Sequence, residues 1–172
     1  MKVIFLDRDG VINQEIGYLH HAKDFKFIDG LFEACKHFLS IGYKLVIVTN
    51  QSGIARGYYQ VEDFYSLTNW MLQQFNKQGV DILDVFFCPH GPMSACMCRK
   101  PQPGMFLDAR EKHDIDMENS WMIGDKETDI TAANTAGVTN TILVKSGHIA
   151  DELNTNAKFI LESIKESTKI IR

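Results

Sequence analysis

The chain predicts an α/β fold: a doubly wound, Rossmann-like parallel sheet with helices on both faces. Three observations carry the prediction. Strand-sized apolar runs recur along the chain, apolar at consecutive rather than alternate positions, as in strands buried on both faces. Segments with helical spacing lie between them, and alternation of strands with helices implies parallel pairing through crossovers. Several runs end abruptly in acidic or polar residues, and open parallel sheets bind ligands at the carboxyl ends of their strands.

The first predicted strand, Lys2 to Leu6, runs into Asp7-Arg8-Asp9-Gly10. Alternate strand residues point the same way, so Asp7 and Asp9 can share a crevice. Two carboxylates there suit a divalent cation, with one able to attack phosphorus and the other to move protons. An ordinary Asp-Gly turn is the plainer reading. A helix predicted over Leu31 to Leu39 carries Leu31, Phe32, Cys35, Phe38 and Leu39 in one apolar pattern, which assigns Cys35 to the core, and Gly42 breaks it. The second strand, Lys44 to Val48, ends in Thr49-Asn50-Gln51-Ser52-Gly53. Those hydroxyls and amides on a glycine-loosened backbone suit phosphate oxygens, or a helix cap.

A longer helix follows from Val61 to Lys77, with Phe64, Leu67, Met71, Leu72 and Phe75 on its stripe. The third strand is predicted over Ile82 to Phe87. Arg99-Lys100-Pro101 places two cations before a helix running from Pro103, a favoured first helical residue, to Lys112. The fourth strand, Ser120 to Ile123, leads into Gly124-Asp125, with Asp129 in the helix predicted over Glu127 to Ala136. A fifth strand spans Thr141 to Val144. The tail after Ile149 is polar and then weakly amphipathic (Phe159, Ile160, Ile164, Ile170, Ile171), which predicts a C-terminal helix covering the sheet. Right-handed crossovers bring the ends of the first, second and fourth strands to one edge.

Residues 88 to 98 stand apart. Cys88, His90, Cys96 and Cys98 lie within one Gly/Pro-containing loop, the pattern of a closed four-ligand structural zinc site. With no ligand position left open, the zinc is expected to fold the loop and to fix the two cations that follow it. Arg99 has a guanidinium suited to bidentate recognition of an oxyanion.

Composition narrows the function classes. A chain of 172 residues with 45% hydrophobic content fits one domain, residues 1–172, with a substantial core. A net charge of −4 gives no polybasic signature and argues against a nucleic-acid partner. The apolar runs fall short of a membrane span. Acids lie too near the start for a secretory leader, so a cytoplasmic protein without disulfides is expected. No heptad pattern forces a dimer, and a monomer is expected.

The series Asp7-Arg8-Asp9-Gly10, Thr49-Asn50, Lys100, and Gly124-Asp125 with Asp129 resembles the four motifs of the haloacid dehalogenase superfamily of phosphatases. Asp7 to Asn13, Thr49 to Tyr58 and Cys98 to Met105 resemble its heptose bisphosphate phosphatase branch, with histidinol phosphatase as the near relative. The resemblance covers the chain to about Ser146. It implies a capless fold, since neither gap between motifs has room for a large cap. It also implies a magnesium-dependent phosphatase working through an aspartyl-phosphate, which removes the 7-phosphate of a sugar bisphosphate, D-glycero-D-manno-heptose 1,7-bisphosphate, in making ADP- or GDP-heptose for surface polysaccharide.

By that resemblance Asp7 is the nucleophile and Asp9 the acid and then base, while Thr49 and Lys100 hold the phosphoryl oxygens. Magnesium is held by Asp7, the Asp9 carbonyl and Asp125, with Asp129 orienting the set and Lys126 beside it. Substrate contacts are implied at Glu15, Ile16, Gly17, Tyr18, Asn50, Gln51, Ser52 and Arg99. Two departures stand out. Glu15-Ile16 replaces the Asp-His expected of the branch, and the segment between His90 and Cys96 is short for it, which bears on the outline of the substrate rim. The alternatives are a histidinol-phosphate phosphatase and, in another class, a non-catalytic zinc-stabilised binding module. The second is weakened because Asp7, Asp9, Lys100 and Asp125 are all present.

Overall fold

A computed structural model describes residues 1–172. Six strands form one parallel sheet: β1 (Val3–Leu6), β2 (Lys44–Asn50), β3 (Asp84–Cys88), β4 (Trp121–Gly124), β5 (Asn140–Val144) and β6 (Phe159–Leu161), in the order β3-β2-β1-β4-β5-β6. Four helices connect them: α1 (Leu31–Ser40), α2 (Val61–Lys77), α3 (Gly104–His113) and α4 (Glu127–Thr135).

Period-two alternation along β1 divides the core. Ile4 and Leu6 face one way, with Leu45 and Ile47 of β2, and pack on Leu31, Cys35 and Phe38 of α1 and Leu67, Met71 and Phe75 of α2. Val3 and Phe5 face the other way, with Val46 and Val48, onto Met105, Phe106 and Ala109 of α3 and Ala132 and Ala133 of α4. The Phe5 and Phe106 rings meet at 4.9 Å. Each Val, Leu, Ile, Phe or Met side chain among them, fully buried, contributes about 1.5–3 kcal/mol. All four residues of β1 are buried, which is why this strand reads as an unbroken apolar run.

Register fixes what meets at the carboxyl edge. Leu6 pairs with Ile47 of β2 and with Ile123 of β4. Asp7 therefore comes level with Val48 and Gly124, one residue short of Thr49 and Asp125, and its N–H donates to the Ile123 carbonyl at 3.1 Å. The strand order changes direction at β1, and the crevice of an open sheet lies at that switch.

Two expectations change. The tail is not a helix: Phe159–Leu161 adds the sixth strand beside β5, and Ile164–Lys169 forms a short 3-10 helix. Extending the sheet gives the β5 edge hydrogen-bond partners, including Lys145 N–H to the Leu161 carbonyl, while Ile164 and Ile171 still bury their side chains against the α1 face. Pro103 caps α3 instead of opening it, because the chain turns closely there, with the Gly104 N–H donating to the Met97 carbonyl. No extra sheet or helical layer covers the carboxyl edge. Its cover comes from the segment after β1, tied back by Gln14 N–H to the Lys26 carbonyl at 2.8 Å, and from the loop before Arg99. No helix is long and apolar enough to cross a membrane.

Candidate active site

At the carboxyl edge Asp7, Asp125 and Asp129 bring carboxylate oxygens within 4.8 Å of one another, all three buried. Lys100 is buried among them, with Nζ 2.9 Å from Asp7 Oδ1, 2.6 Å from Asp129 Oδ1 and 2.8 Å from the Val48 carbonyl. Burial alone would lower the Lys100 ammonium, but Asp129 and Asp7 more than offset it and hold it above its usual range. Asp7 is pushed well up by burial and by the neighbouring acids, against the pull of Lys100. Three carboxylates against one ammonium leave uncompensated negative charge inside the protein.

Asp125 tells what that charge is for. Its Oδ2 accepts the His148 backbone N–H at 2.9 Å and lies 2.6 Å from His148 Nδ1. Its Oδ1 is buried with no hydrogen-bond partner. A buried carboxylate oxygen without a donor is costly unless a cation occupies its lone pairs. The donor set is all oxygen, which suits magnesium. Asp129 is differently employed: its Oδ2 accepts the backbone N–H groups of Asp125 and Lys126 at the start of α4, both at 3.1 Å, so it shapes the turn that carries Asp125.

Asp9 sits on the turn after β1, where Gly10 takes φ 92° and its N–H reaches the Asn13 carbonyl. Three donors orient its carboxylate: Arg8 Nη2 at 2.9 Å, Asn13 Nδ2 at 3.0 Å and Gln51 Nε2 at 3.3 Å. Gln51 also donates to Thr49 Oγ1 at 2.9 Å and accepts from the Tyr59 hydroxyl. Burial pushes Tyr59 up to about 12, so that hydroxyl remains a donor. Asn50 exchanges two hydrogen bonds with the Lys100 backbone, at 3.0 and 3.2 Å, and ties the end of β2 to the segment leaving the cysteine loop.

The sulfurs of Cys88, Cys96 and Cys98 and Nδ1 of His90 also lie within 4.8 Å of one another. Cys98 Sγ is 2.9 Å from Cys88 Sγ, and His90 Nδ1 is 3.3 Å from Cys98 Sγ and 3.4 Å from Cys88 Sγ. No disulfide joins them. Bonds of about 2.0–2.3 Å to one tetrahedral ion put ligand atoms on the order of 3.5 Å apart, so this donor set fits zinc. Burial raises the Cys88 thiol, whereas the Arg99 backbone N–H and neighbouring donors outweigh burial at Cys96 and hold it down to about 6. Arg99 Nη1 reaches back to the His90 carbonyl at 3.3 Å.

A polar cavity of about 440 Å³ opens over the acids. Asp7, Asp9, Glu15, Gly17, Tyr18, Asn50, Gln51, Ser52, Arg99, Lys100, Lys126 and Asp129 all line it. Outside the cysteine loop, three residues singled out in the sequence do not. Asp125 lies buried beneath it, Thr49 is buried with its hydroxyl engaged by Gln51, and Ile16 is exposed to solvent away from the lining. Tyr59, Thr128, His148 and Arg56 also line the cavity, and the sequence motifs assign none of them a site role. Tyr59 and Arg56 carried a signal, since both fall within or beside the polar run after β2. His148 carried none, because it reaches the site by a loop beyond β5.

The HAD-hydrolase-like family model matches residues 97–167. The D-glycero-beta-D-manno-heptose-1,7-bisphosphate 7-phosphatase of Vibrio cholerae is 48% identical over 171 residues, covering 95% of this chain and 92% of its own. The D-glycero-alpha-D-manno-heptose-1,7-bisphosphate 7-phosphatase of Photorhabdus laumondii is 46% identical over 164 residues, covering 91% and 90%. Among solved structures, the D,D-heptose 1,7-bisphosphate phosphatase of B. bronchiseptica, complexed with magnesium and phosphate, superposes with a TM-score of 0.86 at 29% identity, covering 99% of this chain and 98% of its own.

Proposed function

The chain belongs to the D-glycero-D-manno-heptose-1,7-bisphosphate 7-phosphatases, haloacid dehalogenase-like hydrolases, and from that membership we propose that it removes the 7-phosphate of a heptose 1,7-bisphosphate through an aspartyl-phosphate on Asp7. One observation carries the reading: a buried carboxylate just after β1, held by Lys100, lies beside a second buried carboxylate whose free oxygen has no protein partner.

Asp7 is the nucleophile. Lys100 holds its Oδ1, which fixes the carboxylate for attack by Oδ2 on phosphorus. As that bond forms, the bond from phosphorus to the sugar oxygen breaks, and Asp9 delivers a proton to the leaving oxygen. Asp9 then takes a proton from water as the water attacks the phosphoryl group, which restores the Asp7 carboxylate and releases inorganic phosphate. Lys100 faces the negative oxygens throughout. Thr49 accepts a hydrogen bond from Gln51, which also reaches Asp9, while its own O–H, with only a 3.5 Å contact to the Asn50 carbonyl, is left to donate to a phosphoryl oxygen. Asp7, the Asp9 carbonyl and Asp125 would hold magnesium, which neutralises charge on the transferring phosphoryl group when bound.

Zinc on Cys88, His90, Cys96 and Cys98 has a structural role: it orders the loop from which Arg99 enters the cavity. Arg99, Arg56 and Lys126 have no carboxylate partner within salt-bridge distance and supply positive charge for the rest of a bisphosphate. Glu15 and Ser52 offer groups for sugar hydroxyls.

Steady-state kinetics on both heptose bisphosphate anomers and on histidinol phosphate, with and without magnesium, test the assignment. The two relatives above, of nearly equal identity, are named for opposite anomers, so both belong in the comparison. The expected result is magnesium-dependent release of one phosphate, with kcat/KM favouring a heptose bisphosphate. A preference for histidinol phosphate would overturn the substrate, and turnover without any divalent metal would overturn the mechanism.

A further inference from the structure

Of the three clustered acids, Asp7 and Asp129 each contact Lys100, whereas Asp125 does not. The segment Ser146-Gly147-His148 takes the place of that partner. Ser146 Oγ donates to the Gly10 carbonyl at 2.7 Å and docks the segment on the turn after β1. A Cβ at either Gly10 or Gly147 would overlap Asp125 Oδ2, so two glycines are what let both backbones close around this carboxylate. The closure puts the His148 backbone N–H and ring Nδ1 on the same oxygen, at 2.9 and 2.6 Å. The far end of the loop is pinned as well, by Asn156 N–H on Glu127 Oε1 at 2.9 Å.

We propose that His148 is a positioning residue for the metal-binding acid: by occupying Asp125 Oδ2 it fixes the carboxylate's rotation and leaves Oδ1 as the one oxygen open to magnesium. The inference rests on Asp125 being a magnesium ligand. A carboxylate turns about a soft terminal torsion, and of the donors on Oδ2 only the ring is a side chain. Because Nδ1 donates to an acceptor, the ring orients Asp125 without entering the position of the cation. Outer partners of this kind typically govern metal affinity by about 10–100-fold.

Titration calorimetry of magnesium into the substrate-free protein tests this with His148→Ala and His148→Asn, the second placing an amide N–H where ring Nδ1 lies. His148→Ala is expected to bind magnesium roughly 10-fold more weakly and to need correspondingly more magnesium for half-maximal rate, while His148→Asn stays within about threefold of the parent protein. Without magnesium both variants should still unfold in a single cooperative transition well above the assay temperature, which separates positioning from loss of fold. Parental or tighter magnesium binding by His148→Ala, or an equal loss in both variants, would overturn the proposal. A parent protein that hydrolyses its substrate but takes up no magnesium would instead overturn the ligand assignment beneath it.

Discussion

Asp7 is a largely buried carboxylate crowded by other acids, and the cation that offsets them is a lysine from another loop. Lys100 therefore neutralises the resting site, and in the proposed reaction it also faces the phosphoryl oxygens. Its replacement by methionine should cost about 3–5 kcal/mol, as expected when one partner of a buried ion pair is removed, measured by urea unfolding without magnesium. A loss under about 1 kcal/mol would mean that Asp7 or Asp129 simply takes up a proton. The two acids after β1 should part company in the phospho-enzyme. Asp7→Asn is expected to abolish turnover and covalent labelling, whereas Asp9→Asn, which leaves the nucleophile in place, should still trap some phospho-enzyme on acid quenching. Full activity in Asp7→Asn would end the mechanism. At this scale the sequence shows which residues matter when they sit at strand ends, as Asp7, Asp9 and Asp125 do. It does not show who holds them. That Asn50 clamps the Lys100 backbone, or that Gln51 links Thr49, Tyr59 and Asp9, follows only from folded contacts.

Elements differ in what sustains them. β1 and β2 need only their apolar side chains, but the loop from Cys88 to Cys98 is mostly exposed and without a core of its own. Its order is expected to come from zinc, and it carries Arg99 and Lys100 into the site. Chelation of zinc with magnesium kept in excess should thus lower kcat/KM, and zinc-free protein with unchanged kinetics would separate the loop from catalysis. Asp84 at the start of β3 gives a pH test away from the metals. Burial alone would raise its carboxyl, but hydrogen bonds from Lys112, His113 and the Val85 N–H outweigh that and hold it below the ordinary 3.8. With its folded value depressed, Asp84 contributes stability that is full above its unfolded pKa and is lost as pH falls through the folded one. Asp84→Asn should destabilise the protein near neutrality and converge with the parent in strong acid, as read from unfolding midpoints against pH. A constant gap at all pH values would remove the carboxylate as the cause. The tail is where element-level reading failed. Isoleucines spaced for a weak helical stripe went instead into a three-residue strand and a 3-10 helix, because the open edge of β5 offered hydrogen bonds that a short isolated helix could not match.

The whole molecule is an open sheet whose charged crevice is offset by no covering domain. Magnesium should stabilise this arrangement as well as activate it, since a ligand that binds only the folded state adds about 2.7 kcal/mol at 100 times its Kd. Thermal unfolding should shift upward with magnesium concentration and the shift should shrink in Asp125→Asn; a melting temperature indifferent to magnesium would remove the ion from the cluster. The sequence by itself determined the sheet, its helices and the motifs along its carboxyl edge, because apolar runs and strand-end acids are local features that one stretch of chain displays alone. Tertiary structure alone decided that a loop beyond β5 returns to grip Asp125, that Thr49 lies under the cavity rather than in it, and that the tail completes the sheet. Each of those depends on which distant backbone comes within hydrogen-bonding reach, and that distance is set by packing across the molecule.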